Sequence, residues 1–330
     1  MENQGLSETG FVERPCIPEH TNFLRIVHWN IEKGKRWALL ESCLDSESIR
    51  SADILCLNEA DYGMARSGNR HVAFEIAERL GMTAVFGPAF HEYTKGIGDE
   101  RLSPGDNSAS LQGNALLTRL RVIEHRNVFL PQCHDPASGE EKRAGGRAAL
   151  ITRLCSPRNF IFTVAVTHLE VLTTRGCRSR QLRAVLDEVG RESPAIIAGD
   201  FNTNTFDRGS ALHTVMSLIQ LLTADVKHRV TNAWKTEPLF RDLRAEGFAW
   251  QTFNDDLATD VVDFGTLEDR RYLPRFVVNM ALRRGRYVPL RLDWIVCRGF
   301  RAVRAGRTIT DLPAQPSDHL PITCDLEPVV

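Results

Sequence analysis

The sequence predicts an α/β or α+β sandwich with sheet in its core and helices outside. Three observations lead there: a series of short apolar segments rich in Val, Ile and Leu, helical patterns interleaved between them, and enough apolar residues, 42% of 330, to fill a sizeable core. The strand-like segments are Leu24–Asn30, Asp53–Asn58, Asn114–Thr118, Ala148–Leu154, Phe160–Thr167, Ala195–Ala198, Leu292–Cys297 and Ile322–Leu326. Several are apolar throughout, as expected of strands covered on both faces. Val72, Ala73, Ile76, Ala77 and Leu80 recur at helical spacing before Gly81, and Leu182, Val185, Leu186 and Val189 do so before Gly190, each run ended by a glycine that can take the left-handed turn.

No repeat, low-complexity tract or Pro/Gly-rich linker divides the chain. A loose tail over residues 1–22 followed by one domain over residues 23–330 is the simplest division. The apolar runs fall far short of the roughly 20 residues that cross a bilayer, so no membrane insertion is expected. The opening MENQGLSETG has no basic start followed by an apolar stretch, which argues against a secretory signal and for a cytoplasmic address. Eight cysteines without a CxxC pair, several inside strand-like runs, read as small buried hydrophobes in a reducing compartment, neither a zinc site nor a disulfide frame. A formal charge of -1 gives no general affinity for polyanions, so any such affinity has to be local.

The residues that carry chemistry fall at or just past predicted strand ends, where a rigid sheet fixes the backbone and leaves the side chain free to reach a ligand. In chain order they stand in His28-Trp29-Asn30-Ile31-Glu32, Leu57-Asn58-Glu59-Ala60-Asp61, Gly113-Asn114, Thr167-His168-Leu169-Glu170, Gly199-Asp200-Phe201-Asn202, Leu292-Asp293-Trp294 and Ser317-Asp318-His319. Glu32, Glu59, Asp200, Asp293 and Asp318 are hard oxygen ligands, joined by His168 and His319 and by no cysteine. That set suits magnesium or manganese better than zinc. Asn30 and Asn202 add amides that can hold a phosphate oxygen or a carboxylate without adding charge, and the whole fits metal-assisted attack of water on phosphorus. Each residue also has an ordinary reading: Asn30 ending a strand, Glu59 in a solvated loop, Asp200 in an Asx turn, Asp318 as a cap, His168 as a satisfied core histidine. Their joint occurrence at strand ends is what those readings leave unexplained.

At WNIEKG (29–34), LNEAD (57–61), GNALLTR (113–119), THLE (167–170), GDFN (199–202), LDWI (292–295) and SDHLPI (317–322) the chain resembles the endonuclease/exonuclease/phosphatase superfamily, the fold of DNase I and of the exonuclease III type of AP endonuclease. The resemblance covers about residues 23–328 and implies a four-layer sandwich, two facing mixed β-sheets flanked by helices, with the site at one edge. It implies Glu59 as principal metal ligand with Glu32 nearby, Asn30 organising metal and phosphate, Asp200 orienting or deprotonating the water and Asn202 holding the phosphate. It further implies His319 on the scissile phosphate with Asp293 fixing its tautomer, His168 stabilising developing charge, and Asp318 binding or supporting a metal. Arg147 in GGRAAL resembles a phosphate-contacting arginine of some relatives.

Two departures stand out. Asn58 occupies the place where relatives usually carry Gln, and residues 205–290 hold no recognised motif, so the substrate is not inherited with the fold. THLE with Thr174-Arg175-Gly176 and Gln181-Leu182 is similar to tyrosyl-DNA phosphodiesterases, and LNEADYGMARSG looks more like bacterial members of unassigned substrate. A phosphodiester in nucleic acid is therefore the first expectation for the substrate, ahead of a phospholipid or small organophosphate. An inert binding module of the same fold would have lost an essential group, and none is missing. A monomer is expected. Eleven arginines from Arg270 to Arg307, among them Arg283, Arg284 and Arg286, make a run of which part is expected beside the cleft, holding phosphates that flank the scissile one.

Overall fold

Alternation along the central strands decides which way each face turns. In β2, Leu24–Lys33, Val27, Trp29 and Ile31 belong to one apolar cluster and Leu24 and Ile26 to another. A strand apolar on both faces has to lie between two layers. The computed structural model builds those layers from residues 6, 9–14, 22–133, 135–138, 141–171, 173–191, 193–203, 231–263, 276, 279, 283 and 287–329, which are the residues it describes.

The other strands are β1 (Gly10–Val12), β3 (Ile54–Tyr62), β4 (Thr83–Glu92), β5 (Leu111–Thr118), β6 (Arg121–Phe129), β7 (Arg143–Gly145), β8 (Ala148–Cys155), β9 (Ile161–His168), β10 (Ala195–Asp200), β11 (Asp260–Asp263), β12 (Tyr287–Leu290), β13 (Asp293–Arg298), β14 (Phe300–Thr308) and β15 (Ile322–Pro328). One sheet has the order β1-β4-β5-β3-β2-β15-β14, with β7 also on β4. The facing sheet has the order β13-β10-β9-β8-β6, and β11 with β12 forms a separate ribbon. Both sheets are mixed: β2 with β3 and β9 with β10 are parallel, and their neighbours antiparallel.

Three apolar clusters define four layers. The first joins the outer face of the larger sheet to helices α1 (Trp37–Leu44), α2 (Glu47–Arg50) and α3 (Val72–Leu80). The second lies between the sheets, with Ile26, Cys56 and Leu116 meeting Leu150, Val164, Ile196 and Ile295. The third joins the outer face of the smaller sheet to α4 (Arg175–Val189), α5 (Ala233–Thr236) and α6 (Leu239–Ala245). The expected α/β sandwich of two facing mixed sheets flanked by helices is what is found.

Seven strands escape the sequence reading, four of them for plain physical reasons. β6 and β14 are sheet edges whose outer faces carry charged side chains, so neither shows an apolar run. β4 contains Gly87-Pro88, which reads as a turn, yet Pro88 sits at a register shift where β4 needs no ladder donor from it. Within the stretch expected as a loose tail, Gly10–Val12 pairs with β4, because β4 would otherwise present a free edge there. Most of the motif-poor 205–290 stretch and five of the eleven arginines, 270, 271, 275, 284 and 286, lie outside the described residues.

Candidate active site

Strand register alone gathers much of the constellation. In the smaller sheet Asp200 pairs with His168 on one side and Asp293 on the other. In the larger sheet Asn30 pairs with Asn58, one residue before Glu59. Gly199 makes the close approach of β9 and β10 possible, since a Cβ there would stand 1.8 Å from the Thr167 carbonyl oxygen. Asn58 then joins the two sheets: its Oδ1 accepts from the Asp200 backbone N–H at 2.8 Å and its Nδ2 donates to Asn114 Oδ1 at 2.8 Å.

Across that junction the polar side chains converge. Asn30 Nδ2 donates to Glu59 Oε1 at 3.4 Å and to Asp200 Oδ2 at 3.3 Å. His168 bridges the same two carboxylates, Nε2 lying 3.4 Å from Asp200 Oδ2 and Nδ1 3.9 Å from Glu59 Oε1. His319 Nδ1 donates to Asp293 Oδ2 at 2.7 Å while its Nε2 faces Asp200 Oδ2 at 3.8 Å. The His319 loop is fixed to β2 through Trp29 Nε1, which donates to the His319 carbonyl, and Ser317 Oγ, which donates to the Asn30 carbonyl. Asn202 Nδ2 donates to the Leu169 carbonyl and its backbone N–H donates to Asp200 Oδ1. Arg147 reaches the same cleft, whose walls include Glu59, Asn114, Arg147 and His168. Its guanidinium lies 3.5 Å from Glu170 Oε1, and its buried Nε has no hydrogen-bond partner among the described residues.

The backbone is held in an unfavourable region at three of these positions. Glu32 (φ 47°), Glu59 (φ 56°) and Asn202 (φ 50°) all have left-handed conformations, which non-glycine residues adopt at a cost and which cluster at functional sites. Charge is just as unevenly distributed. Burial pushes the Asp200 carboxyl up to about 7, with the Asp293 charge adding to the rise. Burial also raises Asp293, but the His319 charge and hydrogen bonds from His28 and His319 outweigh it and leave Asp293 well below the ordinary carboxylate range. Burial lowers His319, but the charge and hydrogen bond of Asp293, with the charges of Asp318 and Asp200, together outweigh it and hold the ring as the cation. His168 is lowered by burial and then by the Arg147 charge, and stays neutral.

Two residues expected at the site stand apart. The Glu32 carboxylate is engaged by Lys35 Nζ at 2.5 Å and by Arg36, and no hydrogen bond or ion pair joins it to Glu59 among the described residues. Asp318 is exposed, its carboxylate accepting from Ser317 Oγ at 3.2 Å. Of the arginine run, Arg291 is buried against Asp255 and Trp294, and Arg298 binds carbonyls of Gly190, Ser193 and Glu246. Arg301, Arg304 and Arg307 pair with Glu327, Asp325 and Asp311 along the β14 edge. These five satisfy acids and carbonyls of the fold; of the three arginines singled out for the cleft, Arg284 and Arg286 lie outside the described residues and Arg283 is exposed.

Sequence reasoning passed over His28, Thr259 and Asp260. Thr259 Oγ1 accepts from the backbone N–H of Leu292 and of Asp293. Asp260 bridges to His319 through the backbone, and burial pushes its carboxyl up to about 6 against the pull of the His319 charge. Neither carries a sequence signal. His28 does, because it interrupts the inward-facing run Leu24, Ile26, His28, Asn30. A second correction concerns the cysteines: Cys133 and Cys177 form a disulfide across a Cα–Cα distance of 6.1 Å, because the segment after β6 lies on the start of α4, where Gln181 Nε2 donates to the Pro131 carbonyl. Cys43, Cys56, Cys155, Cys297 and Cys324 are free and buried, as expected.

The donor set fits a hard divalent cation. Ligand atoms of Asp200, Asp293 and His319 lie within 4.8 Å of one another, but both Asp293 oxygens already accept hydrogen bonds from histidines. The Glu59 side chain, 24% exposed, has by contrast only long contacts from Asn30 and His168 among the described residues, which leaves its oxygens available.

A model of the Endonuclease/Exonuclease/phosphatase family matches residues 27–319. No curated protein matches the sequence. Among solved structures the fold is similar to that of an endonuclease/exonuclease/phosphatase from Beutenbergia cavernae, with 17% identity, a TM-score of 0.55, and 93% of this chain and 72% of that one covered. It is similar to one from Bacteroides vulgatus at 13% identity and a TM-score of 0.52, covering 93% of this chain and 100% of that one. A conserved protein of unknown function from Enterococcus faecalis matches at 14% identity and a TM-score of 0.51, covering 92% of this chain and 100% of that one. No helix among the described residues is long and apolar enough to cross a membrane.

Proposed function

This chain belongs to the endonuclease/exonuclease/phosphatase family, and from that premise we propose that it hydrolyses a phosphodiester by attack of an activated water, with Mg2+ or Mn2+ as cofactor. The observation that carries the reading is Asp200, buried and pushed up to about 7, set between neutral His168 and cationic His319. A carboxylate that titrates near neutrality is matched to accept a proton from water. His319, held protonated and oriented by Asp293, sets a positive charge against the phosphoryl oxygens, and His168 offers a neutral donor to charge that develops there. Arg147, in the cleft wall and with no partner for its Nε among the described residues, is placed to meet a non-bridging oxygen. Glu59 and Asn30 would hold the ion, which supplies Lewis-acid polarisation of the phosphate when bound.

A phosphodiester in nucleic acid is the first substrate reading, supported by the local likeness of the 167–182 stretch to tyrosyl-DNA phosphodiesterases. The pairing of Arg291, Arg301, Arg304 and Arg307 with acids of the fold favours a second reading, a small organophosphate that needs no extended basic track. The test is turnover of bis-p-nitrophenyl phosphate, p-nitrophenyl phosphate, single-stranded and duplex DNA, RNA and sphingomyelin with magnesium or manganese. Activity should vanish in EDTA and return with either ion, and Glu59→Gln should raise the ion concentration needed without unfolding the chain. Turnover that persists in EDTA, or a Glu59→Gln enzyme fully active at low magnesium, would refute the assignment.

A further inference from the structure

We propose that His28 is a positioning residue of this site, donating from Nε2 to Asp293 Oδ1 and so locking the carboxylate that orients His319. The inference rests on the hydrolytic reading above for its kinetic consequence, and on geometry alone for the hydrogen bond.

The even-numbered residues of β2 face the other sheet. Leu24 and Ile26 meet its apolar side chains, and the next inward position along the strand is His28, with no exposed surface. An apolar residue at that position would extend the inter-sheet core. A ring there costs desolvation of two nitrogens, of which, among the described residues, Nε2 has a partner and Nδ1 has none. Leaving a buried ring nitrogen without a partner is destabilising. That expense stands at the strand end that leads straight into Asn30.

The partner of Nε2 is Asp293 Oδ1 at 2.8 Å, and the other oxygen, Oδ2, is bound by His319 Nδ1 at 2.7 Å. One carboxylate of the smaller sheet is thus gripped at both oxygens by imidazoles of the larger one, His28 from β2 and His319 from the loop before β15. A carboxylate held at one oxygen can rotate about its Cβ–Cγ bond; held at two it cannot without breaking a bond to a fully buried charge. Because Asp293 is ionised, it accepts from both rings. The ring proton that His28 donates is therefore the one on Nε2. His28 touches neither Asp200 nor the cleft in any described contact, so it acts through Asp293 and His319 on the geometry of the reacting groups. Misplacement of such groups by about 1 Å can cost on the order of 100-fold in rate, and loss of a supporting hydrogen-bond partner about 10–100-fold.

The experiment compares wild type with His28→Gln, which keeps an amide donor, and with His28→Met and His28→Leu, which fill the volume without one. Turnover of bis-p-nitrophenyl phosphate with manganese, thermal unfolding, and 15N-edited NMR of the histidine rings are read on each. Expected are a kcat lowered about 10–100-fold in the Met and Leu variants with KM within about 2-fold, near-wild-type kcat in the Gln variant, and a displaced His319 Nδ1–H resonance in the donorless variants only. Folded donorless variants with unchanged kcat and an unchanged His319 resonance would overturn the proposal and leave His28 a space-filling residue. Should both donorless variants fail to fold, the wild-type spectrum decides: a His28 protonated at Nε2 in slow exchange supports the bond, and one protonated at Nδ1 overturns it. If wild type turns over none of the substrates, the hydrolytic reading fails on its own, while the NMR comparison still accepts or rejects the His28–Asp293 lock.

Discussion

Replacing Asn58 by Leu tests whether the two sheets are coupled at the site by one buried amide. Leu shares the branched outline of Asn and is bulkier, so no cavity opens, but two hydrogen bonds of 2.8 Å are lost at a position with no exposed surface. The Asp200 backbone N–H and Asn114 Oδ1 are left without those partners. At about 1–3 kcal/mol for each buried group left unsatisfied, the loss is about 2–6 kcal/mol, with a central value near 4. For a chain of this size that corresponds to a fall in Tm of roughly 3–9 °C. Freeing the end of β10 also releases Asp200, which His168, His319 and Asn30 have to meet within fractions of an ångström, so kcat should fall by about 10-fold or more. Chemical denaturation and thermal unfolding read the first effect, and turnover of bis-p-nitrophenyl phosphate the second. A variant less than about 1 kcal/mol less stable, with kcat intact, would show that Asn58 couples nothing.

Three further outcomes follow from other parts of the structure. His319→Ala and Asp293→Asn should each lower kcat by about 100-fold or more, and because the two act as one unit the double variant should be little worse than either; additive losses in log rate would argue against the coupling. His71, stacked on Phe74 and Tyr62, is lowered by burial to about 4 from an ordinary 6.5, so its contribution to stability is complete above pH 6.5 and is lost as pH falls towards 4. That amounts to about 3 kcal/mol at most, and His71→Phe should flatten the stability profile across this window; a profile parallel to wild type would discount the histidine. Reducing the Cys133–Cys177 disulfide, or replacing both cysteines by Ser, should cost about 4 kcal/mol for a cross-link spanning 44 residues; equal denaturation midpoints with and without reductant would show that the link does not form in solution.

The sequence by itself determined the layered α/β class, the central strands β2, β3, β5, β8, β9, β10, β13 and β15, and the strand-end residues from which the site is built. It could do so because buried strands write their environment as continuous apolar runs, and because polar residues that end such runs have few places to go. Edge strands write no such run, which is why β6 and β14 waited for the structure. The distances were decided by tertiary structure alone. Asn30 meets Asp200 only because two sheets abut, 170 residues apart in the chain, and His319 meets Asp293 only because a loop folds over β2. Glu32 and Glu59 look alike as acids at strand ends, yet Lys35 and Arg36 claim one carboxylate and leave the other open. The disulfide and the pairing of the basic run with its acids were likewise settled by which segments the fold lays side by side. Local sequence encodes burial and strand ends; partner identity across hundreds of residues is a property of packing, and it is packing that turned a set of candidate residues into one cleft.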